Sequence, residues 1–212
     1  MNTRIPLRTT DTQARDMAEK LEMSTAEIGL SVRTTNCLEE RGIFTVNDLL
    51  HFTADRDPRL GSFSLRELVD EMQASLAPQF SAQAIATTID IPDDLPITAD
   101  RNMLRRVVLN LILNALDAMP DGGTLTIIAC ETELGVEIEV ADSGPGLSKD
   151  AEQRLFDPFF STKCGGTGLG LAIVSRIAEV HGGDVMAQNC PDGGAAVTLC
   201  IPQLTASMEA AA

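Results

Sequence analysis

The chain has no tryptophan and no tyrosine, and histidine occurs only twice. A surface that stacks bases or sugars on aromatic rings is therefore a poor reading. The five cysteines, Cys37, Cys130, Cys164, Cys190 and Cys200, form no C-x-x-C pair. With so few histidines beside them no zinc site is expected, and a reducing cytoplasm is the expected compartment. The first residues, Met1-Asn-Thr-Arg-Ile, lack the apolar core of a secretory signal. The longest apolar run, Val107 to Leu116, is broken by Asn110 and Asn114, so no membrane span and no membrane partner is expected. Basic side chains are in the minority, and the formal net charge is -15. General nucleic-acid binding needs net neutralisation of phosphates by Lys and Arg, so the acidic body argues against it and serves solubility instead.

What is present divides the chain by pattern. Residues 1–20 have no sustained apolar period and are expected to be a flexible tail. A small helical module is expected over 21–54, with one helix opening near Thr25 and closing at Gly42, and a second opening at Thr45. Residues 55–63, with Pro58 and Gly61, are expected to form a linker. A larger unit follows over 64–203, and residues 204–212 are expected to be a disordered tail. Within the larger unit, Leu65, Leu68, Val69 and Met72 share a helix face. Residues 84–91 alternate as a strand, and residues 102–119 form a long helix. Residues 123–129 and 135–141 alternate as a hairpin. A helix over 169–180 and two strands, 184–187 and 195–201, complete the pattern. Helices on one face of a mainly antiparallel sheet make an α+β fold, a two-layer α/β sandwich.

Four pieces carry chemistry. Asn110 and Asn114 lie at i and i+4 on one helix face. Amides on a core-like helix are costly to bury unpaired. They either satisfy loops internally or offer oxygen to a hydrated Mg²⁺. Asp142-Ser-Gly-Pro-Gly146 follows a strand; its glycines permit a tight turn, and its carboxylate can accept a hydrogen bond from an exocyclic amine. Leu155-Phe-Asp-Pro-Phe-Phe-Ser-Thr-Lys163 is an apolar cluster ending in a cation, either a packed surface loop or a lid over a ligand. Gly165-Gly-Thr-Gly-Leu-Gly-Leu171 runs into a helix N-terminus, which makes an anion cradle. It has neither the Gly-Lys-Ser/Thr ending of a P-loop nor the strand-first context of a dinucleotide fold.

In this order, the four pieces resemble the ATP-binding catalytic domain of sensor histidine kinases, within the gyrase/Hsp90/histidine kinase/MutL superfamily. The resemblance runs from about Phe63 to Pro202. It lies nearest the nitrogen-regulator subgroup, through Asn114-Ala-Leu-Asp-Ala-Met, Phe156-Asp-Pro-Phe-Phe-Ser-Thr-Lys and Glu179-Val-His-Gly-Gly. It implies a Bergerat ATP-binding fold with ATP and Mg²⁺ as cofactors. Asn114 is then expected to hold the metal and Asn110 to support phosphate contacts. Asp142 is expected to read the adenine amino group in a pocket shaped by Gly144 and Gly146. Lys163 and the stretch Gly166, Thr167, Gly168, Leu169 and Gly170 are expected to close on the triphosphate. The chain departs from the pattern near its end, where Gly194-Ala-Ala-Val197 replaces the usual Gly-Thr-x-Phe.

The acceptor is the missing part. A histidine kinase carries its phosphoacceptor on a helical hairpin, beside an acidic residue. His181 falls where the resembled family uses histidine structurally, and His51 in Leu49-Leu-His-Phe has no acidic residue after it. Hydrolytic superfamily members place a glutamate where this chain has Asn110, and an amide cannot take a proton. The expectation is a Mg·ATP-dependent phosphoryl donor that hydrolyses slowly and lacks its own acceptor. Its partners would be a phosphoacceptor hairpin in trans and a response regulator. A serine kinase of the anti-sigma type shares the fold and is a further alternative. Finally, Leu30-Ser-Val-Arg-Thr-Thr-Asn-Cys-Leu-Glu-Glu-Arg-Gly-Ile-Phe-Thr-Val-Asn-Asp-Leu-Leu50 resembles the C-terminal domain of the bacterial RNA polymerase α subunit. That resemblance puts Arg33 and Asn36 at DNA-contacting positions. The lysines of that family's later hairpin are gone from Gly61-Ser-Phe-Ser-Leu65, so a helical docking element is the competing reading.

Overall fold

The computed structural model describes residues 23–24, 57–163 and 168–203. Apart from Met23 and Ser24, the expected helical module with Arg33, Asn36 and His51 lies outside the described residues, as do both expected tails.

The segment expected to be a linker ends in a strand. β1 (Gly61–Ser64) pairs antiparallel with β3 (Pro96–Ala99), and Phe63 sits opposite Ile97. Phe63 packs against the core, which draws the segment into the fold. α1 (Leu65–Ala82) begins where Ser64 accepts a hydrogen bond from the Glu67 N–H at 3.2 Å, the serine half of a capping box. Leu65, Leu68, Val69 and Met72 are buried, as the period predicts. The helix runs past Met72 through Pro78, because Leu76 and Phe80 continue the buried stripe at four-residue intervals. Proline removes one intrahelical donor there without ending the helix.

The main sheet has the order β2-β4-β5-β7-β6. β2 (Ile85–Asp90) runs parallel to β4 (Gly123–Thr132), and the chain crosses between them through α2 (Arg101–Ala118). β4 and β5 (Gly135–Asp142) form the expected hairpin, with Thr132 opposite Gly135. α3 (Lys149–Arg154) and α4 (Gly170–Val180) follow. β6 (Asp184–Asn189) and β7 (Ala195–Pro202) close the order with antiparallel pairings. Alternate residues of the hairpin, Leu125, Ile127, Val136, Ile138 and Val140 among them, are buried beneath α2, in one core cluster with residues of α1 and α4. The result is the expected α+β two-layer sandwich.

Asp100 ties the helical layer together. It is the one buried charged side chain among the described residues. Oδ1 accepts from the Asn102 and Met103 N–H groups at 2.9 and 3.1 Å and so caps α2. Oδ2 accepts from the Arg59 N–H at 3.0 Å. The Asp100 N–H donates to His181 Nε2 at 3.0 Å, while His181 Nδ1 lies 2.8 Å from the Ile177 carbonyl. Those two contacts require the proton on Nδ1 and make His181 a strut between the end of α4 and the start of α2. Burial pushes the Asp100 carboxyl up, but the N–H groups of Met103, Arg59 and Asn102 outweigh it and hold the carboxyl below its ordinary range.

Asp100→Ala is expected to cost about 1–2 kcal/mol at neutral pH, through the lost cap alone. A depressed folded-state pKa stabilises the fold above the ordinary carboxyl pKa, and that contribution disappears as pH falls through the folded value. The gap between wild type and variant in thermal denaturation should therefore narrow on acidification. A gap independent of pH would show that the carboxylate is not the stabilising group.

Candidate functional site

The candidate side chains lie on α2, at the start of α4 and in the loops between β5 and α4. α2 buries Val107, Val108, Leu111, Ile112 and Ala115. That leaves Asn110, Asn114 and Asp117, at i, i+4 and i+7, on the face turned away from the core. They line a cleft of about 260 Å³ together with Phe160, Lys163, Gly168 and Gly170. The structure thus brings Asn110, Asn114, Lys163 and the start of α4 into one place. Gly166 and Thr167 lie outside the described residues. Leu169 is buried, so only its backbone is available to a ligand.

The two amides have different surroundings. The Asn110 Nδ2 donates to the Arg106 carbonyl at 2.9 Å, which leaves its oxygen beside Gly170. The Asn114 Oδ1 accepts from Lys163 Nζ at 3.1 Å, and the same ammonium lies 2.8 Å from Asp117 Oδ2. A cation therefore already sits on an amide oxygen and a carboxylate, the hard-oxygen set that Mg²⁺ prefers. At α4 the N-cap position, Leu169, makes no side-chain capping bond. Its first N–H groups remain free of a side-chain cap, as an anion cradle requires.

The Asp142 turn lies next to this cleft rather than in its lining. Asp142 Oδ1 accepts from the Gly144 N–H at 2.8 Å. A Cβ on Gly144 would come within 2.8 Å of that oxygen and 2.9 Å of the Ala118 carbonyl, so the turn fits against the end of α2 only with glycine. Burial pushes the Asp142 carboxyl above its ordinary range, against the opposing pull of the Gly144 and Ala195 N–H groups and the Lys163 charge. A half-buried carboxylate beside a cleft, carrying an uncompensated desolvation cost, is a candidate functional group.

Several residues that shape the site were not singled out from the sequence. Asp117 could have been found from its i+7 spacing to Asn110. Ser143 Oγ accepts from the Thr124 N–H at 2.9 Å and locks the turn to β4. Asn189 holds the far side: its Oδ1 accepts from the Leu147 N–H at 2.6 Å, and its Nδ2 donates to the Leu147 carbonyl and to Glu152. No local pattern announces either contact. In the phenylalanine-rich segment, the Arg154 guanidinium stacks 4.8 Å from the Phe160 ring. The Phe159 N–H donates to the Gly168 carbonyl at 3.0 Å, which joins that segment to the start of α4. Gly168 has φ +66°, a conformation that glycine adopts without strain.

The sequence matches the family model of the histidine kinase-, DNA gyrase B- and HSP90-like ATPases over residues 99–205. A second model, the C-terminal domain of the bacterial RNA polymerase alpha chain, matches residues 11–74. The sensor histidine kinase ZraS of Escherichia coli O157:H7 is 36% identical over 158 residues, which is 74% of this chain and 34% of that protein. Sporulation kinase A of Bacillus subtilis is 38% identical over 141 residues, 66% of this chain and 23% of its own length. The chain thus spans about a third or less of the length of these relatives. Among solved structures, the catalytic domain of histidine kinase ThkA aligns with a TM-score of 0.64 at 31% identity, covering 68% of this chain and 95% of that one. Full-length ShkA in complex with AMPPNP has a TM-score of 0.64 at 26% identity over 92% of this chain and 46% of its own. ThkA in complex with the response regulator TrrA has 0.64 at 25% identity, over 91% of this chain and 56% of that one.

A carboxyl with a raised folded-state pKa binds its proton more tightly in the native state than in the unfolded chain. Its stabilising contribution is present below the ordinary pKa and is lost as pH rises through the raised value. Asp142→Asn is therefore expected to leave the thermal midpoint at neutral pH unchanged or slightly higher. A fall of several degrees would show that the hydrogen bonds of Asp142 outweigh its burial.

Proposed function

Since the chain belongs to the histidine kinase-, DNA gyrase B- and HSP90-like ATPase family, we propose that residues 64–203 bind Mg·ATP and hand its γ-phosphoryl group to a histidine on a hairpin supplied by another chain. The observation that carries this reading is the convergence of Lys163, Asn114, Asn110 and the uncapped start of α4 on one cleft beside Asp142. In it, Asp142 accepts the adenine amino group, and Gly144 and Gly146 shape the surrounding turn. Asn114 offers its oxygen to the metal and Asn110 supports phosphate contacts. Lys163 and the stretch Gly166, Thr167, Gly168, Leu169 and Gly170 hold the triphosphate. The metal, when bound, neutralises phosphate charge. Electrostatic positioning is the main task left to the protein in such a transfer.

The proposed route of the phosphoryl group does not pass through His181. His51 lies outside the described residues. Both ring nitrogens of His181 are engaged by backbone, so it is not a nucleophile. With an amide at Asn110 in place of a general base, water is a poor acceptor too. The proposed acceptor is a histidine supplied in trans, with a response regulator downstream; likeness to ThkA, solved in complex with the response regulator TrrA, supports the response regulator. Cytoplasmic location belongs to the same reading; no described helix is long and apolar enough to cross a membrane.

The match to the RNA polymerase alpha model supports a second role for the N-terminal residues. In it the nucleotide state of the cleft controls a contact with polymerase or DNA through Arg33 and Asn36. ATP-dependent retention of the chain on promoter DNA would favour this reading over phosphotransfer.

Calorimetry should show magnesium-dependent ATP binding, and Asp142→Asn should weaken it by at least about tenfold, the loss of one hydrogen bond to a charged group. A folded native chain that binds no nucleotide would sink the reading. In a second assay, [γ-³²P]ATP and a separately supplied acceptor hairpin should yield a phosphoprotein whose label is acid-labile and base-stable. Acid-stable label on serine would instead favour the anti-sigma type of kinase.

A further inference from the structure

The Lys163 ammonium is the feature of the cleft that the functional reading leaves unexplained. A lysine meant for phosphate is here held 2.8 Å from Asp117 Oδ2 and 3.1 Å from Asn114 Oδ1. Asn114 Oδ1 is the atom that a divalent cation would use. An ammonium and a dication cannot share it, because like charges at contact distance repel strongly. The phenylalanine-rich segment supports the placement: Ser161 Oγ accepts from the Lys163 N–H at 3.1 Å and fixes the backbone from which the side chain reaches α2.

Resting on the proposal that this cleft is the nucleotide site, we infer that Asp117 is a further positioning residue. It parks the Lys163 ammonium on Asn114, so that the lysine becomes available to phosphate only when a divalent cation takes its place. Asp117 thereby couples nucleotide binding to the metal. Neither side chain is buried, with 39% of the Lys163 side chain and 56% of that of Asp117 exposed, so the contact can exchange at little cost. No other described cation is paired with Asp117, and no other described carboxylate is paired with Lys163. Asp142 senses the Lys163 charge without an ion pair to it.

Two readouts test this on the full chain. Trypsin cleaves after lysine only when the ammonium can enter the protease pocket. In the nucleotide-free chain, Asp117→Asn should speed cleavage after Lys163 by about two- to fivefold, the range set by an exposed ion pair. Cleavage after Lys149, whose side chain is outside the cleft, should stay the same. An unchanged rate after Lys163 would overturn the parking contact. ADP affinity is then measured with excess Mg²⁺ and with EDTA. The native chain should favour the magnesium condition, and Asp117→Asn should shrink that advantage by tightening binding in EDTA. An unaltered ratio would overturn the coupling, and so would a Lys163→Met chain that keeps the native ratio. A native chain that binds ADP in neither buffer would sink the functional reading and this role with it, whereas the proteolysis shows separately whether the contact exists.

Discussion

One buried carboxylate decides whether the helical layer can serve a site at all. Asp100 receives the N–H groups of Arg59, Asn102 and Met103, and its own N–H is held by His181. Four backbone stretches meet there: the entry segment, the strand β3, the start of α2 and the end of α4. The two helices that matter for chemistry are fixed at their far ends by this junction, and their other ends face the cleft. Precision at the cleft therefore depends on a polar cluster distant from it. Burying an ion is unfavourable unless every lone pair finds a donor, and here the donors are backbone groups that cannot move away.

The charges near the cleft show the opposite logic. Asp142 is partly buried and its carboxyl is pushed up in consequence. Lys163 is tied to Asn114 and Asp117 rather than left free. Stability alone would not choose either arrangement. A neutral residue at 142 would remove a desolvation cost, and an apolar residue at 163 would suit the neighbouring phenylalanines. Charges that are tolerated rather than favoured by the fold are those available to a ligand that brings charge of its own.

The sequence shows most of the scaffold because its periods are clean. Leu65, Leu68, Val69 and Met72 announce α1, and the alternation in β4, β5 and β7 announces the sheet. The remainder is hidden for identifiable reasons. Pro78 and the small residues around it mask the second half of α1, where only Leu76 and Phe80 maintain the stripe. β3 is four residues long and begins with Pro96, too short for a period. α3 has no apolar stripe; its sequence signals are Ser148, through the bond it accepts from the Ala151 N–H, with Asp150 and Glu152 in the first turn and Arg154 in the last. At the site, Asn110, Asn114, Asp142 and Lys163 are visible because their residue types are out of place in an apolar helix or an apolar loop. Asp100, Ser143 and Asn189 are not. The contacts that give them their place are distant in sequence: Asp100 with the Arg59 N–H and His181, Ser143 with the Thr124 N–H, and Asn189 with the Leu147 backbone and the Glu152 carboxylate. Such partners appear only once the chain has folded.

The strand order also bears on how the molecule comes into being. β7, the last of the described strands, does not lie at the edge but is inserted between β5 and β6. As the chain leaves a ribosome, α2 and the β4–β5 hairpin can assemble with the residues at hand. β6 has no partner among the described strands made before it, and α4, which packs on α2 as well as on β6 and β7, lacks its full sheet support. The half of the cleft built from α4 therefore waits for Pro202 to emerge. Loss of residues 195–202 would remove an interior strand, not trim a border.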